Sequence, residues 1–191
     1  MKVFLNAGHK VGLDSGAVNR GAYYGKTEAQ TVLDIGLAAK GYLEAAGVEV
    51  EFLQSNSLNG EDEDANNPSI CRSANESGAD IFVSLHCNAA NTVAKGSEVE
   101  VFSHGGEADK LARCILDQIV SSCGTAERYI NERPNLAVLR GTDMPAVLVE
   151  LAFIDNDEDC QKLEENADEF ARAIARAITD YELITDFYGE D

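Results

Sequence analysis

Three short, unbroken apolar runs constrain this chain more than anything else in it: Val3-Phe4-Leu5, Ile81-Phe82-Val83 and Val147-Leu148-Val149. Successive strand residues point to opposite faces, so a strand that is apolar at every position has no solvated side. Such strands belong to a largely parallel sheet covered by helices on both faces. Helical patterns lie between the runs. Thr27 with Gln30 reads as a capping-box start, and Val32, Ile35, Ala39, Leu43 and Ala46 follow at helical spacing up to Gly47. Pro68 to Ser77, closed by Gly78, predicts a short helix, and Glu107 to Val120 a longer one. A last helix is expected over Glu165 to Tyr181, with Phe170, Ile174, Ile178 and Tyr181 on one face. The alternating stretches Val48 to Leu53 and Ser97 to Phe102 predict strands with one wet face, and Leu136 to Leu139 a further short strand. Strands alternating with helices give an α/β fold: a single domain with a twisted, mostly parallel sheet of about six strands and helices on both faces. A length of 191 residues suits one domain, expected to occupy residues 1–184 and to leave a fraying tail over 185–191.

Charge narrows the partners. Fifteen basic residues against 34 acidic ones give a net charge of −19. A nucleic-acid binder needs a basic patch to neutralise phosphates, and anionic membranes repel so acidic a chain. No apolar run approaches the ~20 residues that span a bilayer, so no membrane insertion is expected. The Met1 to Asn6 start lacks the apolar core of a signal peptide. The five cysteines are odd in number and have no CxxC spacing, which speaks against both a disulfide framework and a thiolate metal site.

Ligands of open α/β sheets bind beyond the carboxyl ends of the strands. His9, His86 and Glu150 each sit at or just past the end of an apolar run, so that rule gathers them at one edge. A catalytic zinc takes three protein ligands from His, Asp or Glu and keeps a fourth position for water. His9, Glu28 and His86 can supply three such ligands. A further carboxylate is needed to move the water's proton to the leaving group, and Glu150 can do so. Each residue also has a plainer reading. His9 can be a surface histidine and His86 a hydrogen-bonded strand end. Glu28 can be an acid favoured in a first helical turn, and Glu150 a structural partner of Arg140 or Arg72.

Several segments occur in the order seen in a known family. Ala7-Gly8-His9 is followed by Asp14 and Gly16, then by Glu28, Arg72 and Ala74-Asn75. Ser84-Leu85-His86-Cys87-Asn88-Ala89 comes next, then Gly96 with Glu98 and Val99, then Leu139-Arg140. The stretch from Pro145 to Asn156, with Val147-Leu148-Val149-Glu150 at its centre, closes the series. In these features the chain resembles the zinc-dependent N-acetylmuramoyl-L-alanine amidases of the amidase-3 family, from Lys2 to about Ala177. The resemblance implies one zinc ion on His9, Glu28 and His86, with Glu150 catalytic. By family position alone, Asn88 and Arg140 contact substrate. The implied reaction is hydrolysis of the amide bond between N-acetylmuramic acid and L-alanine in peptidoglycan. The sequence departs from the family at Lys10 and Ala152, where glycine is usual, and at Ser15, often proline. These positions bear on the loop rim and packing rather than on the ligands.

Three other readings remain open at this stage. One is a non-catalytic wall-binding or regulatory module on the same scaffold. A second is a zinc peptidase acting on wall peptides, and a third a cysteine hydrolase using Cys87 with His86. Cys87 is expected to point away from His86, on the opposite face of the strand. His104, in a Ser-His-Gly-Gly loop, is set outside the zinc site. The acidic charge opposes unaided adhesion to an anionic wall. The expectation is therefore of a wall-acting enzyme released as phage lysins are, or a catalytic domain whose wall-targeting module lies outside this chain.

Overall fold

The structure is a computed structural model that describes residues 1–60 and 63–188, the last three without their side chains. It contains six strands: β1 (Lys2–Ala7), β2 (Glu49–Gln54), β3 (Ile81–Asn88), β4 (Ser97–Val101), β5 (Glu127–Glu132) and β6 (Ala146–Phe153). Six helices accompany them: α1 (Glu28–Ala45), α2 (Ile70–Ser77), α3 (Glu107–Cys123), α4 (Ala137–Gly141), α5 (Asp157–Glu165) and α6 (Ala167–Tyr188). The strands form one sheet in the order β2-β1-β3-β6-β4-β5. β2, β1, β3 and β6 are mutually parallel; β4 pairs antiparallel with β6, and β5 parallel with β4. A mostly parallel six-stranded sheet is thus what the apolar runs required.

Period-two alternation sorts the strand residues into two cores. Val3, Leu5, Val83, Leu85, Val147 and Val149 pack with residues of α1, α3, α5 and α6 on one face. Phe4, Phe82, Ala146 and Leu148 pack with Ile70 and Ala74 of α2 and Val138 and Leu139 of α4 on the other. Phe4 and Phe82 stack there with ring centroids 5.8 Å apart. Each large side chain so buried contributes about 1.5–3 kcal/mol. Further along the strands this second face turns polar: Ser84 and His86 on β3, Glu150 on β6, Glu98 and Glu100 on β4. At the other edge of the sheet the Met1 amino group lies 3.0 Å from Glu182 of α6.

Most element boundaries fall within two or three residues of expectation. Thr27 caps α1, its side chain accepting from the Gln30 amide. The capping box is not reciprocal, because the Gln30 side chain donates to Asp34 instead. α2 begins two residues after Pro68, capped by Ser69, and ends at left-handed Gly78. Leu136 to Leu139 is not a strand: it leads into helix α4, whose Val138 and Leu139 are buried side by side. The sixth strand is instead β5, and α5 is a helix the patterning did not announce. β4 has no wet face, since all five of its residues are buried. The segment from Thr185 begins as the continuation of α6 to Tyr188, and residues 189–191 of the expected tail lie outside the described residues. Among the described residues no helix is long and apolar enough to cross a membrane.

Candidate metal centre and active site

β1, the start of α1 and β3 deliver three side chains to one point. After β1 the chain passes through Gly8 to His9, which holds a left-handed backbone with φ 58°. A side chain on Gly8 would drive into the His86 ring, its Cβ 2.3 Å from Cε1. Gly16, at φ 62°, is equally constrained: a Cβ there would lie 2.5 Å from Glu28 Oε2 and 2.7 Å from His9 Cδ2. The two glycines let the backbone come close enough for the three side chains to meet.

Glu28 stands at the centre, almost fully buried in the first turn of α1. Its Oε1 accepts from the Cys87 amide at 3.1 Å and lies 2.9 Å from His86 Nδ1. Its Oε2 accepts from the Ala17 amide at 2.9 Å and lies 3.2 Å from His9 Nε2. The other nitrogen of His9, Nδ1, is 2.6 Å from Asp14 Oδ2. Burial pushes the Glu28 carboxyl up, but the hydrogen bonds from His86 and His9 outweigh it and hold the group well below the usual carboxylate range. Glu28, with help from Asp14 and against the pull of burial, raises His9 to about 9. The raised His9 imidazole thus sits between two carboxylates, Glu28 and Asp14, that favour its charged form.

These residues fit a cation. One ligand atom from each of His9, Glu28 and His86 lies within 4.8 Å of the others. The donor set of two imidazoles and a carboxylate suits zinc. Asp14 bonded to the far nitrogen of His9 is the outer carboxylate that commonly fixes the tautomer of a metal-binding histidine.

Glu150 is placed beside this cluster by strand register. His86 of β3 and Glu98 of β4 are its Cα partners on either side, so all three share the polar face. Its Oε2 is shielded from solvent and has no hydrogen-bond partner among the described residues. Burial pushes the carboxyl up to about 8, and the charges of Glu28, Glu100 and Glu98 add to the effect while His9 opposes it. Neither arginine considered as a structural partner takes that role. Arg72 pairs with Glu63 at 2.6 Å; Arg140 is exposed on α4 and has no ion pair among the described residues.

Asn88 is near Glu150 on the same face, but its amide nitrogen already donates to Glu98 Oε1 at 2.5 Å. Glu98 Oε2 in turn accepts from Arg128 Nε at 2.7 Å, and the Arg128 guanidinium lies 4.9 Å from the Phe153 ring centroid. Arg140 stands apart, on a helix whose Ala137 carbonyl receives the Cys71 thiol of α2. Cys87 points into the opposite core from His86, as its strand position demands. Its thiol is pushed far up by burial, which leaves it inert as a nucleophile. His104 follows antiparallel β4 and so lies at the other edge of the sheet, bonded to Asp109 at 2.9 Å. Sequence reasoning gave no role to Asp14, nor to the Ala17 and Cys87 amides that hold Glu28. Backbone donors leave no mark in composition, and Asp14 stood out only as part of a matching segment.

Comparison with known proteins agrees with the fold. The family model described as N-acetylmuramoyl-L-alanine amidase matches residues 3–180. Among relatives, the chain is 34% identical to the uncharacterized protein YqiI of Bacillus subtilis, over 94% of this chain and 84% of that one. It is 31% identical to the N-acetylmuramoyl-L-alanine amidase CwlM of Bacillus licheniformis, over 92% of this chain and 65% of that protein. It is 33% identical to the endolysin of Bacillus phage SPP1, of whose length it spans 59%. Among solved structures, the CwlD amidase from Clostridioides difficile in complex with the GerS lipoprotein superposes with a TM-score of 0.83 at 25% identity, covering 96% of this chain and 98% of that one. Cwp6 from Clostridium difficile gives 0.82 at 30% identity, over 94% of this chain and 29% of that one. On the family match and the fold together, the chain belongs to the amidase-3 family of N-acetylmuramoyl-L-alanine amidases.

Proposed function

We propose that this protein hydrolyses the amide bond between N-acetylmuramic acid and L-alanine in peptidoglycan, using one zinc ion held by His9, Glu28 and His86. The observation that carries the reading is the unpartnered, solvent-shielded oxygen of Glu150 one ladder position from His86. A carboxylate left so is costly unless a reacting group completes it. Zinc at this centre supplies a Lewis acid that makes water acidic near neutral pH and polarises a carbonyl. A cation held by the neighbouring cluster would offset the negative charges that help to raise Glu150 and favour its ionised form; the carboxylate would then take the proton from the attacking water and return it to the leaving alanine nitrogen. Asp14 keeps the Nδ1 proton of His9 in place, so that Nε2 is the nitrogen offered to the ion. The Ala17 and Cys87 amides each donate to one oxygen of Glu28 and would keep the carboxylate in position to hold the ion. The amidase family and the relatives named above supply the substrate class. Asn88 and Arg140 are carried forward as substrate contacts by family position.

The test is digestion of purified peptidoglycan with and without chelator and added zinc, with products identified by mass. Free alanine amino termini should appear only with the metal. His9→Ala and His86→Ala should each lose zinc and activity together, because two remaining protein ligands hold the ion poorly. Near-normal zinc content in either variant would remove that residue from the ligand set.

A further inference from the structure

A cavity of about 600 Å³ opens at the site edge of the sheet, between the β1–α1 loop and the start of α5. Val18, Arg20 and Gly21 line it from one side, Thr92 and residues Asp155 to Glu158 from the other. It holds charges of both signs that do not pair. Arg20 is exposed and makes no ion pair among the described residues, although three carboxylates share the cavity with it. Two of those carboxylates are occupied. Glu158 binds Lys95 at 2.7 Å and lies 3.7 Å from Lys162. Asp155 accepts from the Ala90 and Thr92 amides through Oδ2, and its Oδ1, without a partner among the described residues, is shielded from solvent and so is not offered to the cavity.

Asp157 is different. Its Oδ1 accepts from the Asn19 side chain at 3.2 Å and the Ala22 amide at 2.9 Å. These bonds fix the carboxylate and leave Oδ2 without a hydrogen-bond partner among the described residues. The lack of a side chain on Gly21 makes the arrangement possible: a Cβ there would lie 2.4 Å from Asp157 Oδ1. The cavity thus presents one free guanidinium and one free, rigidly held carboxylate oxygen.

We infer that this cavity receives an amino-acid terminus carrying ammonium and carboxylate on one carbon, with Arg20 taking the carboxylate and Asp157 the ammonium. The inference rests on the peptidoglycan reading above and identifies the part of the stem peptide that is read there. A lone anion would face the carboxylate rim, and a lone cation would leave Arg20 unused; a zwitterion satisfies both. Within a stem peptide whose alanine nitrogen is acylated by muramic acid, ammonium and carboxylate share a carbon only at the side-chain end of a diamino dicarboxylic acid. The reach is adequate. At roughly 3.3 Å per strand residue, the end of β6 at Phe153 is about 10 Å beyond Glu150. A residue two places along an extended peptide from the cleaved bond covers about 7 Å before its side chain begins.

The experiment uses two muramoyl tripeptides that differ only at the third residue. One carries meso-diaminopimelate, ending in ammonium and carboxylate, and the other L-lysine, ending in ammonium alone. Kd is measured by calorimetry on the zinc-loaded Glu150→Gln protein, and turnover on the zinc-loaded wild type. The diaminopimelate compound should bind about tenfold more tightly, the scale of one charge-assisted hydrogen bond in a partly open site. Arg20→Ala in the same background should bring that ratio to about one, and Asp157→Asn should weaken both compounds alike. Equal affinities before the Arg20 change, or a tenfold ratio that survives it, would overturn the inference. Turnover reports separately on the reaction: if the Glu150→Gln protein binds with the expected ratio but the wild type releases no alanine terminus from either compound, the amidase reading is refuted and the recognition result stands.

Discussion

Glu150 and Glu98 are Cα partners across β6 and β4 and lie on the same face of one sheet, yet their surroundings are opposite. Glu98 is clasped by Asn88 on one oxygen and Arg128 on the other. Two residues on, Glu100 repeats the arrangement with Asn131 and Arg133, both at 3.2 Å. Among the described residues Glu150 has neither an amide nor a guanidinium and keeps one shielded oxygen bare. Buried carboxylates that serve the fold are furnished with donors by their neighbours. Of these three glutamates, the one that is not furnished lies next to the candidate metal site. Glutamate content alone would never have separated the three; the donors around each one do.

The largest expected effect breaks this comparison if it fails. Glu150→Gln is nearly isosteric, so the protein should stay folded and keep its zinc while turnover falls by about 10²–10⁴-fold. Zinc stoichiometry, melting temperature and turnover on one preparation decide it, and a zinc-loaded variant with wild-type turnover would end the catalytic role. Glu98→Gln should do the reverse. It leaves Arg128 facing a neutral amide and should cost about 1–3 kcal/mol by denaturant unfolding, with residual activity tracking the folded fraction. A profound loss of turnover at unchanged stability would make Glu98 part of the chemistry and dissolve the contrast.

A smaller effect concerns pH. In the chelated protein Glu150 is raised from 4.5 to about 8. A raised folded-state pKa contributes stability that is fully present below the unfolded value and lost as pH rises through the folded one. Glu150→Gln does not titrate. Its melting temperature in the presence of chelator should therefore gain a few degrees on wild type between pH 5 and pH 8. Parallel curves across that window would show that the bare oxygen carries no such penalty. The smallest effect is at Cys87, one residue from His86 but in the opposite core. Cys87→Ala should keep turnover within about twofold, since only the Cys87 backbone amide touches Glu28. A collapse of turnover with zinc still bound would revive the thiol as a participant.

What the sequence disclosed follows the same division. The parallel strands β1, β3 and β6 were legible because burial on both faces forces continuous apolar runs, and their ends then placed His9, His86 and Glu150. β5 was not legible: Glu127-Arg128-Tyr129-Ile130-Asn131-Glu132 is an edge strand, and its Arg128 and Asn131 serve the glutamates of β4. β4 showed alternation, but its acids are buried against those donors rather than wetted, a fact that depends on a strand 30 residues away. Leu136 to Leu139 is too short for periodicity to distinguish strand from helix. The start of α5 did carry a signal, Asn156 followed by three acids, but it was read only as the end of a matching segment. Glu28 and the histidines could be named as candidate ligands, but not the means of bringing them together. Two side chains missing at Gly8 and Gly16 and two backbone amides do that, and none of them has a periodicity.

The ion pair between Met1 and Glu182 joins the first strand to the last helix across 181 positions of sequence. It lies at the edge of the sheet away from the metal cluster, so a bead, a label or a fused polypeptide held at either of these two points pulls on the back of the molecule and leaves the mouth facing outward. The same closeness makes the fold a candidate for circular permutation. A linker from the far end of α6 back to Met1 would close the described part of the chain into a ring. That ring could be reopened in the exposed Ser103-His104-Gly105-Gly106 turn, also at the edge away from the cluster, moving both ends without touching a loop that carries a ligand.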